Sequence, residues 1–202
     1  MLIIGALLAS CSHNAKNSGN DTDSAFIENA EAIADSIDNP SNLPELTAEG
    51  LGPVRLGMEV DSIPSAWPGL YDRVTADASM DAQTFTFLEG TTPMFMVLDF
   101  DGGKANAIEL LSPRMSVAGH PGLHIGIPFA DVIAMKGVTT EWIPFDDGGQ
   151  WYWRLDGLYL LPDLERCSAQ LGAAMCDSKN PPAASLITAD IPLGYLSTGL
   201  PF

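Results

Sequence analysis

Two stretches of this chain follow one pattern, and a chain that writes a short unit twice has few ways to fold. Val54-Arg55-Leu56-Gly57-Met58-Glu59-Val60-Asp61-Ser62-Ile63 matches Leu123-His124-Ile125-Gly126-Ile127-Pro128-Phe129-Ala130-Asp131-Val132 in apolar character at 54/123, 56/125, 58/127, 60/129 and 63/132, with Gly57 against Gly126. Each copy reads as a short alternating strand that meets a glycine and then starts a helical turn. Glycine suits the change of direction, where a Cβ would be strained. The segments after the two copies are alike as well. The first runs through Phe85-Thr86-Phe87-Leu88 and Met94 to Phe100, turns at Asp101-Gly102-Gly103 and returns from Ala107 to Leu111. The second runs through Trp142 to Phe145 and Trp151 to Leu155, turns at Asp156-Gly157 and returns from Leu158 to Leu161. An Asp-Gly pair between apolar runs marks a hairpin, because the two-residue turn needs positive φ at its centre.

The spacing predicts an α+β fold of two tandem β-α-β-β-β units, residues 46–112 and 117–163, each with a short helix on an antiparallel sheet. One such sheet buries little alone, so the units are expected to share a core within a body spanning 46–163. The competing reading is a chance match inside one irregular α+β domain. Residues 164–202 read as an Ala-, Pro- and Gly-rich tail in which Leu186-Ile187 and Ile191 to Leu196 add one edge strand.

Charge narrows the partners. Nine Lys plus Arg against 26 Asp plus Glu leave a net charge of −17, which repels phosphate backbones and excludes nucleic acid as an expected partner. The 19 Gly and 15 Pro punctuate the chain too often for a bundle of long helices.

The first residues carry an address. Leu2 to Ala9 is an apolar run ending in Ser10 and Cys11, too short at about 1.5 Å per residue to cross a hydrocarbon core of about 30 Å. It reads as the core of a signal peptide spanning residues 1–11. Leu8-Ala9-Ser10-Cys11 resembles the lipobox of bacterial lipoproteins, in which the Cys becomes the first mature residue and carries the lipid. That resemblance implies lipidation at Cys11, attachment to a membrane and residence in the cell envelope; Ser12 next to it resembles the outer-membrane sorting pattern. No Lys or Arg precedes the apolar run, so the true start is expected upstream. Residues 12–45 read as an acidic tether, with Ser24 to Asp38 at helical spacing as a short helix or part of a stalk.

The strand-Gly-Met-helix opening at 54–63, followed by hairpins, resembles the beta-lactamase-inhibitor-like and SmpA/OmlA envelope domains. Gly119-His120-Pro121-Gly122 through Gly126 to Val132 is similar to the RpoE-regulated lipoprotein family. These resemblances imply a non-enzymatic, lipid-anchored protein that works by surface contact, and they supply no catalytic residues.

Tested for chemistry, the chain offers little. With Cys11 lipidated and the compartment oxidising, Cys167 and Cys176 are expected to form a disulfide. His120 and His124 lack helical geometry because Pro121 and Gly122 intervene, so no metal site is expected. Counted as a calcium loop from Asp99, the sixth and twelfth positions are Lys104 and Leu110 rather than Gly and an acid, and the pattern fails. Nucleophile elbows, Walker loops and dinucleotide fingerprints are absent, and no cofactor is expected. The distinctive patch is Gln150-Trp151-Tyr152-Trp153-Arg154. In a strand, Trp151, Trp153 and Leu155 point one way and Tyr152 and Arg154 the other. Either the tryptophans fill the core beneath a merely solvated face, or Tyr152, Arg154 and Tyr159 form a contact surface. The expected function is a non-catalytic envelope binding module for an unknown protein or ligand. A periplasmic small-molecule or cation binder is the alternative, and a hydrolase with an unrecognised carboxylate site the third reading.

Overall fold

The computed structural model describes residues 43–66, 73–77, 83–99, 102–145 and 148–199, with the strand at 73–77 given by its backbone alone. The lipobox with Cys11, the tether as far as residue 42 and the 24–38 helix lie outside the described residues, whereas Glu45, read as the tether's end, begins a strand. The architecture is mixed α+β. A small sheet holds β1 (Glu45–Thr47), β2 (Gly50–Leu51), β3 (Val54–Arg55) and β8 (Ser116–Val117), with β8 parallel to β1. A large sheet holds β4 (Arg73–Asp77), β5 (Gln83–Glu89), β6 (Thr92–Asp99), β7 (Ala107–Leu110), β9 (Thr139–Phe145), β10 (Gly148–Leu155), β11 (Leu158–Pro162) and β12 (Leu193–Thr198). Its spatial order is β4-β5-β6-β7-β12-β11-β10-β9, antiparallel at every pairing. Among the described residues three short α-helices complete it: α1 (Ile63–Ala66), α2 (Phe129–Ile133) and α3 (Ala169–Met175).

The glycine of each repeat does the same work. Gly57 N–H donates to Ala105 O (2.8 Å), Ala105 N–H to Met58 O (2.8 Å) and Val60 N–H to Gly103 O (2.9 Å). Sixty-nine residues on, Gly126 N–H donates to Leu193 O (2.9 Å), Leu193 N–H to Ile127 O (2.7 Å) and Phe129 N–H to Ile191 O (2.8 Å). Both glycines have positive φ, +78° and +91°, where a Cβ would be strained. The same three-bond frame therefore leads into β7 in one unit and into β12 in the other. These equivalent strands lie side by side and antiparallel, so the units meet through their last strands about an approximate dyad.

Each unit gives four strands to the large sheet, all after its helix, where the β-α-β-β-β reading places three; the second unit's fourth, β12, comes from the stretch read as the tail. The segment at 191–196, expected at an edge, is the correction that matters: β12 sits at the centre, between β7 and β11. Leu196, Ser197 and Thr198 are all buried, as a strand covered on both faces requires. Leu123 to Ile125 forms no strand, unlike its counterpart at β3.

One face of the large sheet carries the core. Phe87 stacks on Phe95 at 4.4 Å between centroids, and Val97, Ile108, Leu110, Trp153, Leu155, Leu158, Leu160 and Leu196 are buried with them. Val60 and Ile63 in the first unit, and Phe129 and Val132 in the second, are the repeat's buried anchors. Phe129 meets Trp153 edge-on at 4.9 Å, which places α2 on this face. Trp151 Nε1 donates to Asp177 O (2.8 Å), which brings the segment after α3 to the same side. The Asp156-Gly157 turn has φ of +47° and +86° between the paired Leu155 and Leu158, as the hairpin reading requires. A Cβ on Gly157 would lie 2.7 Å from Ala48 Cβ, so only glycine lets the small sheet close on this turn.

The expected Cys167–Cys176 bridge is absent, and both thiols are free. The reason is α3, which Ser168 caps through its hydroxyl at Leu171 N–H (3.1 Å). A helix between the two cysteines holds them apart by roughly 10 Å or more, beyond the ~7 Å that a disulfide can span. Cys167 Sγ instead donates to Asp163 O (3.4 Å), and burial, then Asp163, push its thiol pKa up. Alkylation without reductant is expected to label both cysteines, exposed Cys176 faster than half-buried Cys167. Two unlabelled residues and a peptide mass short by two hydrogens would restore the bridge.

Candidate functional site

The face of the large sheet opposite α2 collects polar and aromatic side chains in two rows. Register pairing sets the first row as Thr139, Arg154, Tyr159, Ser197, Glu109, Met96 and Thr86, running from β9 to β5. The second row runs Glu141, Tyr152, Leu161 and Tyr195. Paired residues share a face, and residues two apart on a strand do too. Tyr152, Arg154 and Tyr159 are thus together, as alternation predicts.

Their contacts form a single cluster. The Arg154 guanidinium lies 3.9 Å above the Tyr159 ring centroid and pairs through Nη1 with Glu141. Tyr152 meets Tyr159 edge-on at 5.8 Å and Tyr195 at 6.3 Å. Tyr152 is only 4% exposed, however, so it supports the cluster rather than presenting a surface. Tyr152→Ala is therefore expected to cost about 3 kcal/mol in urea unfolding, the range for truncating a buried aromatic ring. An unchanged transition would return Tyr152 to the surface set.

Sequence reasoning missed Glu109 and Tyr195. Glu109 stands at the seam between the units, and burial raises its carboxyl pKa to about 7. No hydrogen bond or ion pair to it forms among the described residues. Tyr152 is pushed up to about 12 by burial, then by Glu109 and Tyr159. Tyr195 is raised further, chiefly by burial, with Glu109, Tyr152 and Tyr159 adding to it. Ser197 opposes that shift, yet its hydroxyl donates to Thr198 O (3.1 Å) and Gly199 O (3.3 Å), so no formed bond reaches Tyr195 Oη. The available signal for Glu109 was a lone acid between Ile108 and Leu110; nothing local marks Tyr195.

Among the described residues, three buried side-chain polar atoms lack a hydrogen-bond partner: Gln150 Nε2, Arg154 Nε and Tyr195 Oη. By strand alternation all three lie on this one face. The face ends in an open groove of about 500 Å³, lined by Ile125, Leu161 to Glu165 and Pro192 to Tyr195. Leu161 and Tyr195 belong to both.

The other candidates lie elsewhere. His120 Nε2 pairs with Asp156 Oδ2 (2.9 Å), and His124 Nδ1 contacts Ile125 O (2.9 Å), so the two imidazoles have separate partners. Asp99 Oδ2 accepts from Gly103 N–H (2.8 Å), a turn contact. Among the described residues no group of three or more His, Cys, Asp and Glu side chains could hold a metal ion. Glu109 and Glu141 stand four strand spacings apart, roughly 19 Å. Paired carboxylates of a glycosidase are about 5–9.5 Å apart, so these two are not such a pair.

No family model matches this chain, and no curated protein matches it. Among solved structures it is similar to the uncharacterized protein YfeY from Escherichia coli, with a TM-score of 0.48 and 14% identity. The likeness covers 77% of this chain and 99% of that one.

Proposed function

We propose that this chain is a lipid-anchored envelope protein whose body is a non-catalytic binding module, with the sheet face around Arg154 and Tyr159, opposite α2, as its contact surface. The observation that carries this reading is the half-buried Arg154 guanidinium held over the Tyr159 ring beside exposed Glu141 on that face. Arg and Tyr are also the side chains that most often dominate binding energy. Anchorage rests on the lipobox Leu8-Ala9-Ser10-Cys11, and Ser12 favours the outer membrane.

Two experiments test the two halves. Palmitate-analogue labelling of the full chain should mark the native protein and not Cys11→Ala; an unlabelled native protein would remove the anchor. Formaldehyde crosslinking in intact cells should recover a partner that Tyr159→Ala and Arg154→Ala lose while each variant still melts in one cooperative transition. Equal recovery by both variants would remove the contact face. A small-molecule binder is the second reading, favoured by the groove, whose size falls within the usual ligand-pocket range of about 300–1,000 Å³.

A further inference from the structure

We infer that the groove at the end of the contact face receives an apolar side chain flanked by lysine or arginine on a partner polypeptide, an assignment that rests on the neighbouring face being a contact surface. The groove arises from one extra residue. Leu161 pairs with Tyr195, but Pro162 pairs with Leu193, so Gly194 has no partner and the β11–β12 ladder slips. A Cβ at Gly194 would lie 2.5 Å from Asp163 Cα, so only glycine allows the chain to pass this close. Beyond the slip Asp163 N–H still donates to Pro192 O (2.8 Å), and the groove is lined by the residues around this bulge.

Its floor is apolar, with Ile125, Leu161, Pro162 and Leu193 among its lining. At the rim Leu164 is 49% exposed, the exposed large hydrophobic side chain among the described residues. Leu164 and the apolar floor together give an incoming apolar side chain surface to bury against. The charge around it is negative. Asp163 and Glu165 flank Leu164, and Asp190 approaches the same Arg166, with its pKa lowered first by the Thr188 hydroxyl. Arg166 is the local cation, its Nε 3.9 Å from Asp163 Oδ2. Asp163, Glu165 and Asp190 against one Arg166, on a chain of net charge −17, repel an acidic occupant and attract a basic one. A free organic cation filling the groove would leave Leu164 and the Arg154–Tyr159 surface uncovered. A polypeptide reaches all three, because the groove continues into the contact face through Leu161 and Tyr195.

The test uses the full chain and a fluorescent acetyl-Lys-Leu-Lys-Leu-Lys-amide, read by anisotropy. The peptide should bind, and its counterparts with Ser for Leu or Glu for Lys should not. Leu164→Ser should weaken binding about tenfold. Glu165→Gln should weaken it more than Glu49→Gln, which removes the same charge from an exposed site near the opposite end of β12. Absence of binding, equal binding of the Ser peptide, or equal effects of Glu165→Gln and Glu49→Gln would overturn the assignment. So would displacement by hexylammonium at the peptide's own concentration, which would make a small cation the ligand. Loss of cellular crosslinks in Tyr159→Ala with no peptide binding would retire the groove alone and leave the contact face standing.

Discussion

Glu109→Gln is expected to stabilise this protein at pH 8 by about 2–3 kcal/mol and to change little at pH 4. The carboxyl sits on β7 directly opposite Ser197 of β12, in one of the two register pairs that join the units. Burial lifts its pKa from 4.5 to about 7. Below pH 4.5 the folded and unfolded forms both hold the proton, and there is no penalty. Between 4.5 and 7 the unfolded chain releases it while the folded chain retains it, so this group's contribution to stability falls as pH rises. Above 7 the full penalty of an enclosed charge remains. Glutamine removes the titration and keeps the shape. Urea unfolding of both proteins at pH 4 and pH 8 isolates this contribution, because every other group cancels in the difference. Equal stability at pH 8 would mean that the ionised carboxylate finds a partner and that the seam bears no strain from it.

Ending the chain after Asp190 is expected to abolish the cooperative fold, because β12 is what joins β7 to β11. Leu193 and Leu196 are fully enclosed, and each contributes about 1.5–3 kcal/mol through burial. The deletion also leaves two strands without their hydrogen-bonding neighbour. Against a typical total stability of about 5–15 kcal/mol, those losses are enough to unfold the chain. Near-ultraviolet circular dichroism and a thermal melt report the outcome. A truncated chain that kept a sharp transition would put β12 at the periphery, where its composition first suggests it lies. Leu196→Ala gives a milder check, with an expected loss of about 2–5 kcal/mol.

The parts of the fold legible in the sequence are those with local causes. Gly57 and Gly126 mark equivalent turns because positive φ excludes other residues, and Asp156-Gly157 marks a hairpin for the same reason. Trp153 reads as core from its alternation with Leu155. The parts that stayed hidden depend on long-range pairing. In β12, Gly194, Ser197 and Thr198 mask the signature of a central strand, and its partners β7 and β11 come from distant stretches of the chain. Alternation assigns Tyr152 to a face correctly but cannot say that Tyr159 and Tyr195 enclose it. An even pair in an expected oxidising compartment made Cys167 and Cys176 look bridgeable, whereas the capped helix between them sets their distance. The groove depends on a slip of one residue, which no composition or periodicity displays.

Of the candidate site, the Tyr152-Arg154-Tyr159 triplet was visible because it lies on a single hairpin. Glu109 and Tyr195 were not: Glu109 joins it across the seam between the repeats, and Tyr195 comes from β12, distant in the chain from that hairpin. That difference explains why the sequence alone presents a small aromatic patch and the folded chain a surface that spans both units.

The most direct measurement is site-specific photocrosslinking in intact cells, with p-benzoylphenylalanine at Tyr159 on the contact face and, in a parallel strain, at Lys136, an exposed residue following α2. A crosslinked species from position 159, absent from position 136 and diminished by Arg154→Ala, is the expected result. Crosslinks of equal yield at both positions, or from position 136 alone, would contradict a contact surface on the face opposite α2.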